Sequence, residues 1–361
     1  MPLNKVLTEM KLKYFPKIRQ YFAYVVLLLF SSFAGYSQET GSCAEKLKTA
    51  QSLFDKGQVE LVPSMLSGCI KSGFTNEESL SAYKLLIQSY LFEDKLGKAD
   101  STMMAFLRKN PEYHVSPTDH SSFVHLYNNF NVRKVVQLAF HFGTSLPFIT
   151  FIDTKTAATI QGEKSYSTNA ANLFTSLEAK ININKKLEIN LEAGYSQLSF
   201  TNSESFMGFK EIIYKETQKR IEIPVTFTYD FLTRGNLTAY ARLGEGVAFN
   251  LRTMAQPLSE PIDINNPNTI SGADINRDDS RTKMDIFTQA GAGVKYKIPR
   301  GFVFVELRSN LGILNQTIRN GESAEELRWL YNYVDDDFNI NSLNISIGVS
   351  QIFFKPTKRK Q

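Results

Sequence analysis

The chain has 361 residues, a formal charge of +5, and Lys/Arg clusters only at its two ends. A charge so small and dispersed argues against a nucleic-acid surface, and the length allows two domains. Mean hydropathy is −0.23, which suits a soluble protein or a β-barrel, because a barrel strand is only half apolar.

The N-terminus reads as a signal peptide over residues 1–37. Lys11, Lys13, Lys17 and Arg19 form a positive region, Tyr24 to Phe33 an apolar core, and Gly35 and Ser37 the small residues before cleavage at Gln38. The alternative, a membrane anchor, needs about 20 apolar residues, and this run is shorter. A lipoprotein reading through Cys43 is weaker, since Gln38 to Ser42 is not apolar.

Cys43 and Cys69 are the two cysteines, both in the exported part. An even pair in an oxidising compartment suggests a disulfide; two free thiols are the alternative.

Residues 39–113 read as a small helical domain. Tyr83, Leu86, Tyr90, Ala99, Met103, Phe106 and Pro111 recur at helical spacing and predict helices over 79–92 and 96–109. The spacing resembles a tetratricopeptide repeat, with two departures: Ile87 stands where that motif has Gly, and Phe106 where it has Ala. Ala50 to Lys56 echoes Ile87 to Glu93, which implies an earlier helix pair near 43–56 and 59–71. In such a pair the start of the first helix lies beside the end of the second, which brings Cys43 to Cys69 and staples a unit with little core of its own. On the repeat reading, Tyr83, Tyr90 and Phe106 form a candidate partner surface for a periplasmic or outer-membrane protein. A helical spacer is the plainer reading.

Residues 114–134 read as a linker with one short amphipathic helix, on the spacing of Phe123, Leu126, Tyr127 and Phe130. That helix would plug or cap a barrel mouth, or lie in the membrane interface. His114, His120 and His125 lack ligand spacing, so no metal is expected here.

From 135 to 355 the pattern changes to alternation. Leu173, Thr175, Leu177, Ala179 and Ile181 oppose Phe174, Ser176, Glu178, Lys180 and Asn182; after Lys185-Lys186, Leu187, Ile189, Leu191, Ala193 and Tyr195 oppose Glu188, Asn190, Glu192, Gly194 and Ser196. This is a hairpin with one apolar and one charged face. The same pattern predicts eight strands, near 135–146, 171–184, 187–201, 219–231, 236–252, 283–298, 301–315 and 341–355. Most match or exceed the roughly 9–11 residues that a tilted strand needs to cross a bilayer.

Short links (Lys185-Lys186, Leu232 to Gly235, Pro299 to Gly301) alternate with long polar ones at 147–170, 202–218, 253–282 and 316–340. That rhythm fits an outer-membrane barrel with both termini in the periplasm, ending in a basic tail at 356–361. A soluble sandwich or lipocalin-like barrel is the alternative. Glu245 falls on the apolar face, where a bulge or a position above the bilayer is expected. Pro224 is expected at a bulge or strand end.

With the apolar face outward, the lumen holds Glu178, Lys180, Glu192, Glu222, Arg242, Lys295, Glu306 and Arg308 as a paired charge network, with His141 nearby. An eight-stranded barrel has room for side chains rather than a pore. No catalytic motif, cofactor site or metal cluster is found, so no enzyme is expected.

From Phe123-Val124-His125-Leu126-Tyr127-Asn128-Asn129-Phe130 through Phe354, the chain resembles the small outer-membrane β-barrel proteins of Bacteroidota, including PorT-like barrels. The resemblance implies outer-membrane residence, contact with lipid, and service to a secretion or uptake assembly; it carries over no catalytic residue. The leading expectation is a barrel that anchors a partner-docking periplasmic domain. Surface binding or adhesion through the outer loops is the second, and a narrow channel the third.

Overall fold

The computed structural model describes residues 40–155, 163–168, 172–206, 210–261, 270–319, 321–331 and 333–359. The signal-peptide region and its cleavage site lie outside them. The described chain divides into a helical unit, which includes everything up to Val132 and returns at Pro356, and a sheet unit spanning Arg133–Lys355.

The helical unit contains α1 (Thr40–Asp55), α2 (Val62–Leu66), α3 (Asn76–Phe92), α4 (Leu96–Lys109) and α5 (Ser121–Asn128). Thr75 caps α3 in a reciprocal capping box with Glu78, as expected where Thr precedes an acidic residue by three. The second helix of the first pair is shorter than the sequence suggests. A 3₁₀ turn at Val59–Leu61 leads into α2, which has Pro63 in its first turn. It stops at Leu66, before Gly68 and Gly73, residues that weaken a helix. Cys43 and Cys69 are bonded, with Cα atoms 5.8 Å apart. Closing 26 residues of chain corresponds to about 3.5 kcal/mol in the chain-entropy account.

One expectation about this unit is corrected. Tyr83 and Phe106 are core residues, 9% and 0% exposed, packed with Ile87, Met103 and Phe123; Tyr90 is half-buried against them. In so thin a unit, the apolar helix stripe is consumed by its own neighbours. The short helix expected within the 114–134 linker is α5, but it is packed rather than free. Phe123, Leu126 and Phe130 complete the same core, and Phe123 meets the Phe106 and Tyr113 rings edge-on. Asp119 ties this segment down. It accepts from Lys84 at 2.6 Å, from the Ser116 amide at 2.8 Å, and from the Tyr113 hydroxyl. The predicted basic tail is also partly strand, since Thr357 and Arg359 bond to the carbonyls of Asn131 and Asn129.

The sheet unit is built from β1 (Phe130–Asp153), β2 (Glu163–Thr168), β3 (Leu173–Asn182), β4 (Leu187–Phe206), β5 (Lys210–Arg234), β6 (Leu237–Pro261), β7 (Ile270–Ser271), β8 (Ile275–Asn276), β9 (Met284–Ile298), β10 (Gly301–Gly312) and β11 (Asp337–Lys358). Eight of these close a ring in the order β1-β3-β4-β5-β6-β9-β10-β11, with β11 back beside β1 and the seven ladders from β1 round to β11 antiparallel. Tight turns join β3–β4, β5–β6 and β9–β10 at one end, with Gly235 supplying a positive φ of 57°. The other end carries the long links and is called the loop end. There β2, β4, β5 and β6 rise beyond the predicted strands.

The outward face decides the environment. Leu138, Phe140, Phe142, Leu177, Leu191, Val225, Phe227, Leu243, Val294, Val305, Ile345 and Ile347 are each 42–65% exposed. A water-soluble protein does not display apolar surface of this extent; a lipid-facing belt does. Inside, Gly348 and Gly293 are close approaches. A Cβ on Gly348 would lie 2.2 Å from the Phe304 ring, and one on Gly293 2.6 Å from the Tyr240 ring, so each aromatic covers a glycine on its neighbouring strand.

Glu245 does not sit at a bulge. The β5–β6 register runs unbroken through Val225↔Glu245, and the irregularities fall at Lys219/Arg220 and Asp230/Leu232. Glu245 stays outward between Leu243 and Val247, where Thr288 on β9 donates to it at 3.0 Å. Pro224 lies inside β5, opposite Gly246. The β4–β5 ladder passes from Leu191↔Val225 to Gly194↔Glu222 without pairing it, because its nitrogen has no proton to give.

Burial alone would raise the Asp119 carboxyl; the bonds from Lys84, Tyr113 and Ser116 outweigh that and hold it below the usual carboxylate range. A depressed folded-state value gives stability that is present above the unfolded value of about 3.9 and is lost as pH falls through the folded one. In urea titrations of the helical transition at descending pH, the wild type should lose stability across that window. Asp119→Asn should show a flatter profile there; identical slopes would refute the assignment.

Candidate functional site

Two groups of buried charge stand out, one inside the lumen and one at the loop end. In the lumen, alternation aims every second residue inward. Glu178 on β3, Glu192 on β4 and Glu306 on β10 converge on two guanidinium groups, Arg242 on β6 and Arg308 on β10. Arg242 reaches Glu178 at 2.5 Å and Glu192 at 3.1 Å. Arg308 reaches Glu192 at 2.6 Å and also donates to Glu306. Lys180 adds a contact to Glu178 at 3.0 Å, and the Tyr240 hydroxyl donates to Glu306 at 2.5 Å. His141 on β1 lies 2.9 Å from Glu178 through Nε2 and 2.6 Å from Arg308 through Nδ1. The tautomer with a proton on Nε2 satisfies both contacts. From β4 to β10, these side chains cross the lumen.

The structure thus brings together Glu178, Lys180, Glu192, Arg242, Glu306 and Arg308. It leaves Glu222 and Lys295 apart from them. Glu222 accepts from Ser196 at 2.5 Å and from Asn310 at 3.1 Å. Lys295 sits nearer the turns, 2.8 Å from Asp230 and 3.6 Å from Glu188. Donor atoms of His141, Glu178 and Glu192 lie within 4.8 Å of one another, a spacing that suits a metal ion. They are already engaged by Arg242 and Arg308, whose charge would repel a cation. The arrangement is a packed ion-pair core. Such groups are tolerable out of water only when paired.

The loop end is organised around Tyr333 to Asp337, between β10 and β11. Arg281 is 1% exposed and grips Glu216 at 2.7 Å and Asp335 at 2.7 Å. Arg277 also bonds to Asp335. Burial alone would raise the Asp335 carboxyl, but the two guanidinium groups outweigh it and hold it low. Asp336 accepts from the Tyr166 hydroxyl and the Lys155 amide at 2.7 and 2.6 Å, and Asp337 from Arg319. Tyr333 stacks on Tyr214 with ring centres 4.2 Å apart. Together they join an apolar cluster with Ile212, Ala255, Ile275 and Leu327. Leu327 belongs to α6 (Glu322–Tyr331), whose first turn is pinned by Ser323 bonding to Asp279.

The outcome is a built platform rather than a set of separate loops. Its solvent side holds a cavity of about 300 Å³ lined by Lys155, Arg319, Glu325, Arg328, Tyr333 and Asp335. Beside it, Trp329 is 83% exposed and Leu330 66%. Sequence reasoning treated 316–340 as a polar link and missed all of this. The signal available was the Asp335-Asp336-Asp337 run and the Ala324, Leu327, Tyr331 spacing of one short helix.

A family profile described as "Outer membrane protein beta-barrel domain" matches residues 125–317, just over half of the chain. The chain belongs to this outer-membrane β-barrel family. Its localisation is therefore the outer membrane. Among solved structures it is similar to Neisserial surface protein A (16% identity, 62% of this chain and 97% of that one, TM-score 0.30). It is also similar to Ail, the attachment invasion locus protein of Yersinia pestis (9%, 60% and 99%, 0.26), and to the outer membrane protease OmpT from Escherichia coli (13%, 62% and 95%, 0.27). These likenesses are too distant to inform on activity, and one fold hosts many functions. No curated protein sequence matches the chain.

Removing Arg281 would leave Glu216 and Asp335 buried without their main cation. Arg281→Met should cost about 3–5 kcal/mol locally and open the platform to limited proteolysis near α6. The barrel should keep its heat-modifiable gel mobility. Unchanged protease resistance would contradict the assigned role.

Proposed function

We propose that this is a non-enzymatic outer-membrane barrel whose loop end faces the cell exterior and binds a ligand there. The observation that carries the reading is the platform itself. Paired charges, an apolar cluster and a helix fix the loop end, and they present a cavity lined by charges of both signs beside exposed Trp329 and Leu330. Exposed aromatics beside a pre-formed cavity are what recognition sites use. The crossed ion pairs of the lumen favour anchoring over conduction. His141, the histidine inside the barrel, has both ring nitrogens engaged by Glu178 and Arg308, which supports the non-enzymatic reading.

A second reading keeps the helical unit as a tetratricopeptide-like, periplasmic domain that docks a secretion or cell-envelope component of the PorT-like barrels of Bacteroidota. Tyr83 and Phe106 no longer support it, being core. Phe92 and Leu96, each 58% exposed at the α3–α4 turn, do.

Intact cells carrying Trp329→Cys should react with a membrane-impermeant maleimide. Purified protein on an array of glycans and matrix proteins should then show binding that falls at least tenfold in Trp329→Ala/Arg328→Ala and is unchanged in Phe92→Ser. No labelling of intact cells would reverse the orientation. Loss in Phe92→Ser alone would favour the helical unit.

A further inference from the structure

The turn end carries a charge pattern that neither the lumen nor the platform uses. Lys185 and Lys186 lie in the β3–β4 turn, Arg234 in the β5–β6 turn, and Lys355 near the end of β11; all are exposed. Among the described residues of the sheet unit at this end, the acidic groups are Asp230 and Glu188, and both turn inward to Lys295. Among the described residues of the sheet unit, the exposed charges of this rim are therefore of one sign. The loop end differs: Asp153, Asp274, Glu322, Glu325 and Glu326 are exposed there alongside Lys215 and Arg252.

The position of these cations is as informative as their sign. They follow outward apolar residues by only a few positions: Ile183 then Lys185, Leu232 then Arg234, Phe353 then Lys355. At about 3.3 Å per residue the charges stand within about 13 Å of the belt. Tyr229, Phe231, Tyr296 and Phe353 are exposed between them, as aromatics at a bilayer interface are. Long Lys and Arg side chains at this depth extend to headgroup level.

We infer that the turn end is a collar for anionic phospholipid headgroups, engaged from several strands around the barrel. Its ligand chemistry is a phosphate held at the membrane surface. The collar needs only that the barrel spans a bilayer, not that the loop end binds a ligand.

The full chain, reconstituted in phosphatidylcholine vesicles, would be probed with spin-labelled phosphatidylglycerol and spin-labelled phosphatidylcholine. The wild type should prefer phosphatidylglycerol by about fivefold or more, the ratio that about 1 kcal/mol per surface cation gives, and high salt should reduce it. Lys185→Gln/Lys186→Gln/Arg234→Gln/Lys355→Gln should bring the ratio near one. Lys215→Gln/Lys219→Gln/Arg252→Gln/Lys283→Gln, at the loop end, should leave it unchanged. Heat-modifiable mobility confirms that both variants are folded. No preference in the wild type, or equal loss in the loop-end variant, overturns the collar. Abolition of the preference by inorganic phosphate at constant ionic strength would mean a site for free phosphate instead, and would also overturn it.

Discussion

A charge taken out of water must meet an opposite charge or a set of hydrogen bonds, and this chain places many charges where water does not reach. Glu178, Glu192, Glu306, Arg242 and Arg308 are each 1–3% exposed. Strand alternation leaves no other place for them, because the opposite face is given to lipid. The barrel works because three carboxylates from three strands share two guanidinium groups that chelate across the lumen. Closure of the ring and a filled lumen are then one fact: the strands that carry the partners must be brought together for any of them to be satisfied.

The same rule shapes the loop end. Arg277 and Arg281 hold Asp335, and around that point a tyrosine stack, a short helix and two neighbouring aspartates fall into place. Buried ion pairs are weak evidence for stability, but they fix geometry well, and a fixed geometry at the end of a barrel is what a recognition surface needs. The lumen core and the platform thus divide the work, one closing the barrel and the other shaping what it presents.

Much of the barrel was legible because each strand lies between lipid and lumen, so its period of two survives along its whole length. The faces assigned to Leu173–Ile181 and Leu187–Tyr195 are those observed. What alternation cannot show is which inward residues meet. It grouped Glu222 and Lys295 with the central network, yet their positions along β5 and β9 leave them with other partners. Glu245 was read correctly as outward, but its Thr288 partner lies 43 residues away in sequence. In the helical unit, periodicity found the apolar stripe without telling core from surface, so Tyr83 and Phe106 were assigned to a partner they do not face. The platform was hidden for a related reason. Its contacts join 166, 216, 281 and 335, and no local pattern carries such a set.

The most direct test of the filled lumen is electrical. Purified wild-type protein inserted into a planar bilayer should give no stepwise conductance, while Arg242→Ala/Arg308→Ala, which removes the bridging groups, should give unstable, noisy openings if it inserts. A steady single-step conductance from the wild type would contradict the account, because it would require a water path through the place where the five charges are joined.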